Sequence, residues 1–173
     1  MKWVYRARQF FMRLFARRQD IDQGLVQQVL SNGTYQLFAS MPVGDQLHAV
    51  QVLRALRRLG NLSADLEQAA LLHDVGKAEG SLTLLHRVLI VFLQAMSPEL
   101  LHGLARDDPQ SWRYPFFVHL EHAERGARLC QAAGCSPMVV ALVHYHDASS
   151  PDAIPEPALA EAVGLLRLAD DKY

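Results

Sequence analysis

The sequence predicts an all-α protein, and three observations carry that expectation. Apolar residues recur at i, i+3/i+4 and i+7 along nearly the whole chain, and no segment alternates apolar and polar residues over a strand's length. Helix punctuation is frequent, with Ser97-Pro98 and Ser136-Pro137 reading as cap-then-proline starts and Gly60 and Gly134 closing apolar runs. At 173 residues, half of them apolar and a fifth charged, the chain suits one globular domain with a substantial core.

The elements follow in order. Residues 1–18 carry six basic residues and no acid. On a helical wheel Trp3, Ala7, Phe10, Phe11, Leu14 and Phe15 share a face, with Lys2, Arg6, Arg13 and Arg17 beside it. Residues 1–20 are therefore expected to form an extra amphipathic helix packed on the domain or on a second subunit. A weak contact with an anionic membrane surface is the alternative. The segment lacks the continuous apolar stretch of a signal peptide. Residues 21–173 form the domain proper. "DIDQGLVQQVLSNGTYQLFASM" reads as one helix or two, broken at Asn32-Gly33. "MPVG" is a turn, after which Asp45 caps a helix to about Gly60. Ser63 caps the next, ending around His73–Gly76, and Ser81 opens another toward Met96. Pro98 starts a short helix, "RDDPQSWRYP" is a polar loop, and a long helix runs from about Phe116 to Ala133. Pro137 starts a helix to about Asp147, and a Pro-rich loop leads to a last helix over about 158–171.

Composition narrows the partners. A formal net charge of −1 gives no global basic field, so DNA binding is not expected. Cys130 and Cys135 make neither a disulfide framework nor a zinc ribbon and read as reduced thiols of a cytoplasmic protein. Apolar runs such as "VLIVFL", of six residues, are far short of the roughly 18 a membrane span needs.

The chemistry lies where ionisable groups interrupt apolar stripes. His48 lines up with Val52, Ala55, Leu56 and Leu59; His73 continues Leu66 and Ala70, with Asp74 beside it. His122 shares a line with Gly126, Leu129 and Ala133; His146 continues Val139, Leu142 and Val143; Asp170 continues Leu159, Val163 and Leu166. One such histidine is ordinarily a core residue bonded to a carbonyl. Six groups on five helices are not ordinary, because an unpaired buried carboxylate costs several kcal/mol, roughly. No Lys or Arg falls on these stripes, and a divalent cation would compensate both carboxylates while taking neutral imidazoles as ligands. His nitrogens with Asp oxygens and no thiolate suit Fe, Mn, Zn, Co or Ni, as one ion or as two bridged by Asp74.

These residues carry a resemblance. "HDVGK" resembles the signature of the HD-domain metal-dependent phosphohydrolases, an all-α superfamily whose pattern is H…HD…(H…H)…D. His48 matches the first His, and His73-Asp74 the dipeptide. "EHAERGA" is similar to the family's H-x-x-x-G-A segment through His122; "LVHYHD" and "LLRLAD" match the closing segments through His146 and Asp170. The similarity spans about residues 45–171. His119 competes with His122, and His144 with His146, for the ligand roles; His86 and His102 carry no motif.

The resemblance implies a compact multi-helix bundle that cleaves phosphoesters with metal-activated water. Asp74 would orient that water or bridge two ions. Lys77, with Gly76 turning the backbone toward the site, would meet the substrate phosphate as a point charge. The region after the fourth His lacks the G-Y-P segment of the cyclic-di-GMP branch. A small phosphorylated substrate, nucleotide-like, is the expected partner. The same superfamily also contains di-iron oxygenases and non-catalytic signalling modules, the two alternatives.

Overall fold

The computed structural model describes residues 16–60, 62–80, 82–148, 150 and 153–172. The amphipathic helix expected over residues 1–20 lies almost wholly outside them, the described part of it ending in a 3-10 turn, Arg18–Asp20. Among the described residues all regular structure is helical, in nine α-helices. They are α1 (Gln23–Val29), α2 (Asn32–Ser40), α3 (Val43–Arg57), α4 (Ala64–Leu72) and α5 (Leu84–Met96). α6 (Pro98–Leu104), α7 (Tyr114–Ala132), α8 (Pro137–Tyr145) and α9 (Pro157–Asp170) follow. A second 3-10 segment, Val75–Gly80, joins α4 to α5. No helix among the described residues is long and apolar enough to cross a membrane.

Local chemistry sets most boundaries. The Ser63 hydroxyl accepts from Leu66 N at 3.2 Å and the Ser136 hydroxyl from Val139 N at 3.2 Å, each satisfying a first-turn donor. Gly134, at φ +76°, ends α7 in the left-handed region that side chains avoid, and Cys135 N closes the turn onto Cys130 O at 3.0 Å.

Three boundaries differ from the sequence expectation. The break between α1 and α2 falls at Leu30–Ser31, so Asn32 and Gly33 form the first turn of α2. α3 begins at Val43 after Pro42, which puts Asp45 inside the first turn rather than at the cap. Its carboxylate is instead buried against Arg87 of α5, with bonds of 3.0 and 2.9 Å. Ser81 lies outside the described residues, and Thr83 caps α5.

The main core gathers Val26, Phe38, Leu53, Leu71, Leu142 and Leu166, one from each of α1–α4, α8 and α9. Truncating such a side chain to Ala costs about 2–5 kcal/mol. A smaller core of Ile90, Leu101 and Phe116 holds α5 and α6 against the start of α7. α7 packs most extensively on the 3-10 segment after α4. That contact sets the site.

Candidate metal centre

Four of the six ligand candidates stand at or just past a helix end, and all six come together in one cluster. His73 is the C-cap of α4 and Asp74 follows it; His146 is the C-cap of α8; Asp170 is the last residue of α9. His48 and His122 come from the middles of α3 and α7. His48, His73, Asp74, His122 and His146 are all 5 % exposed or less. Asp170 keeps a side chain 38 % exposed, so the cluster meets solvent on its side.

The six groups form one contiguous cluster. Asp74 Oδ1 lies 3.7 Å from His73 Nε2, 3.6 Å from His122 Nε2 and 3.8 Å from His146 Nε2. Asp170 Oδ1 lies 2.6 Å from His48 Nε2 and 3.7 Å from His73 Nε2. Two sets share the Asp74 carboxylate: His48, His73 and Asp74, and Asp74, His122 and His146, each with ligand atoms within 4.8 Å of one another. Atoms bound at about 2.0–2.2 Å to one ion stand roughly 3–3.6 Å apart, so either set closes on a cation with small shifts.

Tautomers sharpen the fit. His73 Nδ1 lies 3.0 Å from Ala70 O, His122 Nδ1 2.6 Å from His119 O, and His146 Nδ1 2.7 Å from Val143 O. A carbonyl only accepts, so each Nδ1 carries a proton, and each ring turns its Nε2 inward, with a lone pair there whenever the ring is neutral. His73 Nε2 is buried without a hydrogen-bond partner. The Nε2 atoms of His122 and His146 face each other at 3.1 Å. Lone pairs aimed at one another and at a carboxylate repel unless a proton or a cation lies among them. The residues present fit a divalent ion.

Charge works in the same direction. Burial alone would raise the Asp74 carboxyl, but Lys77 and His73 outweigh it and hold the group well below the usual range. Burial, then the Lys77 charge, push His122 well below an ordinary imidazole and His119 down to about 4. His73 moves up despite its burial, through Asp74 and Asp170. His48 and His73 likewise outweigh burial at Asp170 and lower it.

Lys77 corrects one expectation. The apolar stripes contain no cation, but Nζ of Lys77 reaches Asp74 Oδ1 at 2.6 Å, because three residues make one turn of a 3-10 helix. Asp74 therefore has a compensating charge within the chain, and the case for an ion rests on the imidazoles. Gly76 lies in the 3-10 segment that brings Lys77 to the cluster, without a positive φ. A Cβ there would stand 2.0 Å from His122 O and 2.7 Å from Gly126 N, so the glycine lets two backbones touch beside the ligands.

Of the competing histidines, His119 stacks on His122 with centroids 5.7 Å apart and an 11° tilt, and its carbonyl orients that ring. His144 turns away and pairs with Glu124 at 2.9 Å in a shallow groove between α7 and α8. His86 binds Thr83 and the Trp112 carbonyl, and His102 is exposed. Sequence reasoning missed the Asp45–Arg87 pair. Its one signal was a single charge, Arg87, in the otherwise uncharged α5.

No family model, curated protein or solved structure matches the chain. What fold and site define is an all-helical protein with buried His/Asp groups that can hold a divalent cation.

Proposed function

We propose that the chain is a metal-dependent phosphohydrolase of the HD type, acting on a small, nucleotide-like phosphoester. One observation carries the reading: three imidazoles, each fixed by a carbonyl three residues upstream, turn their Nε2 atoms toward one carboxylate oxygen. The order of those residues along the chain, H…HD…H…H…D, supports the HD assignment. A bound divalent ion supplies Lewis acidity, polarising a phosphoryl oxygen and lowering the pKa of water from 15.7 toward about 7.

The chain's own residues do the rest. Asp74 stands between the two histidine sets and serves both. Lys77, with 19 % of its side chain exposed, connects the buried cluster to solvent and can exchange Asp74 for an incoming phosphate. Asp170, on the open side, holds His48 in place through the 2.6 Å bond. His119 backs the His122 ring, and its carbonyl keeps the His122 Nδ1 proton.

Metal analysis of the purified protein tests the reading, followed by a phosphate-release screen on the same sample. The screen spans phosphomonoesters, nucleotides, dinucleoside polyphosphates and cyclic dinucleotides. The expected result is one or two equivalents of a transition metal, with phosphate release lost on chelation. Asp74→Ala abolishes both metal and turnover; an Asp74→Ala protein with full activity overturns the mechanism.

A further inference from the structure

One buried ion pair beside the cluster takes no part in holding an ion. Asp45 and His48 stand three residues apart on α3, hence on one face of it, and both are buried. Asp45 gives one oxygen to each terminal nitrogen of Arg87, at 3.0 and 2.9 Å. A ligand candidate and the clamp of a guanidinium are therefore one helical turn apart. The pair is lopsided: the Asp45 side chain is 1 % exposed, whereas that of Arg87, the single charge of α5 besides its histidine, is 25 % exposed. Apolar side chains would join α3 to α5 as well as a buried ion pair does, and often better. Here the acid is sunk in the interior and the cation reaches outward.

Charge places that cation at the edge of the cluster. Burial would lower Arg87, but Asp45 and, beyond it, Asp74 outweigh burial and raise it. Arg87 also acts on His119, which burial, Lys77 and Arg87 together bring down to about 4 against the pull of Asp74. Lys77 in turn meets Asp74 directly. The 3-10 segment, α5 and α7 thus each bring one nitrogen-bearing side chain within reach of the Asp74 charge.

These side chains have donors to spare. A guanidinium carries five N–H groups, and Asp45 takes two of those on Arg87. An ammonium carries three, and Asp74 takes one of those on Lys77. The His119 ring stacks on His122, and its nitrogens make no hydrogen bond among the described residues, which leaves one N–H on the neutral ring. Donors gathered beside a cation cage suit an anion with several oxygens. A planar fork grips two phosphoryl oxygens at once, where a lysine supplies only a point charge.

We propose that Arg87, clamped by Asp45, is a substrate-binding residue that takes two oxygens of the substrate's phosphoryl group beside the metal centre, with Lys77 and His119 completing the same edge. This rests on the reading of the His/Asp cluster as a phosphohydrolase centre and adds to it the residue that selects a phosphoryl group.

Titration calorimetry of the metal-loaded full chain with inorganic phosphate tests the assignment. Wild type binds phosphate, and Asp45→Asn/Arg87→Gln binds it at least about tenfold more weakly, as expected for lost hydrogen bonds to a charged group, while keeping the metal content of wild type. Changing both partners leaves no unpaired charge in the interior, so the double variant keeps its fold. Phosphate affinity equal to wild type in that variant overturns the proposal and leaves the pair a link between α3 and α5. A double variant stripped of its metal overturns it too, since the pair is then a support of the cage. Wild type that takes up metal but no phosphate does the same. The two readings fail separately. Phosphate bound through Arg87, with none released from any ester, keeps the anion site and removes the hydrolase; ester hydrolysis with the same KM in wild type and double variant removes the Arg87 assignment alone.

Discussion

At the scale of single residues, the cluster is built by carbonyls as much as by imidazoles. Each of Ala70, His119 and Val143 accepts from a histidine three residues later and so decides which nitrogen looks inward. Stripe positions in the sequence can place these rings indoors, but they say nothing about tautomer, which depends on a backbone contact. Lys77 was legible as a charge near the site, whereas its contact with Asp74 depended on the chain tightening into a 3-10 turn. That contact makes a prediction with two opposite signs. Lys77→Met frees Asp74 and is expected to tighten metal binding by about tenfold, or about 1.4 kcal/mol. The same change raises KM for a phosphorylated substrate by about tenfold, because the phosphate loses a point charge. Metal titration and steady-state kinetics read the two effects separately; metal affinity that does not rise removes Lys77 as a competitor for Asp74.

At the scale of elements, the crossing of α7 over the Val75–Gly80 segment determines whether the ligands meet. Gly76 and Gly126 face each other there, and their demands differ in degree. An added Cβ at Gly76 runs into backbone at 2.0 Å, whereas one at Gly126 meets Val143 Cγ1 at 3.1 Å and Gly76 N at 3.3 Å. Gly76→Ala is therefore expected to cost upwards of about 3 kcal/mol in urea unfolding and to lose metal, and Gly126→Ala about 1 kcal/mol with metal retained. Equal costs would mean that the crossing relaxes freely. Helix existence was legible because capping is local: Ser63 and Ser136 could be read from their neighbours alone. Asp45 misled for the opposite reason. An acid near a helix start looks like a cap, and only tertiary structure brings Arg87 to it.

At the scale of the whole molecule, burial of neutral imidazoles ties stability to pH. His119 takes a proton near 4 in the folded chain and near 6.5 in the unfolded one, and His122 is displaced the same way. The unfolded state therefore binds more protons between those values, so stability is full above about 6.5 and drains away as pH falls toward 4. His73, moved upward, opposes this in part. For metal-stripped protein the expectation is a Tm that drops between pH 7 and 4 by roughly 4–8 °C, on the order of 2 kcal/mol for a domain this long. His119→Gln flattens that slope; an unchanged slope would remove His119 as its source. The all-helical class and the inward-facing groups were readable from periodicity. That they converge was not, since His48 and Asp170 stand 122 positions apart.

That separation also imposes a timetable on biosynthesis. While α3 and α4 leave the ribosome, His48, His73 and Asp74 have neither the α7–α8 pair of imidazoles nor the carboxylate that ends α9. Until residue 170 has cleared the exit tunnel, the nascent chain can offer an ion only part of the cage.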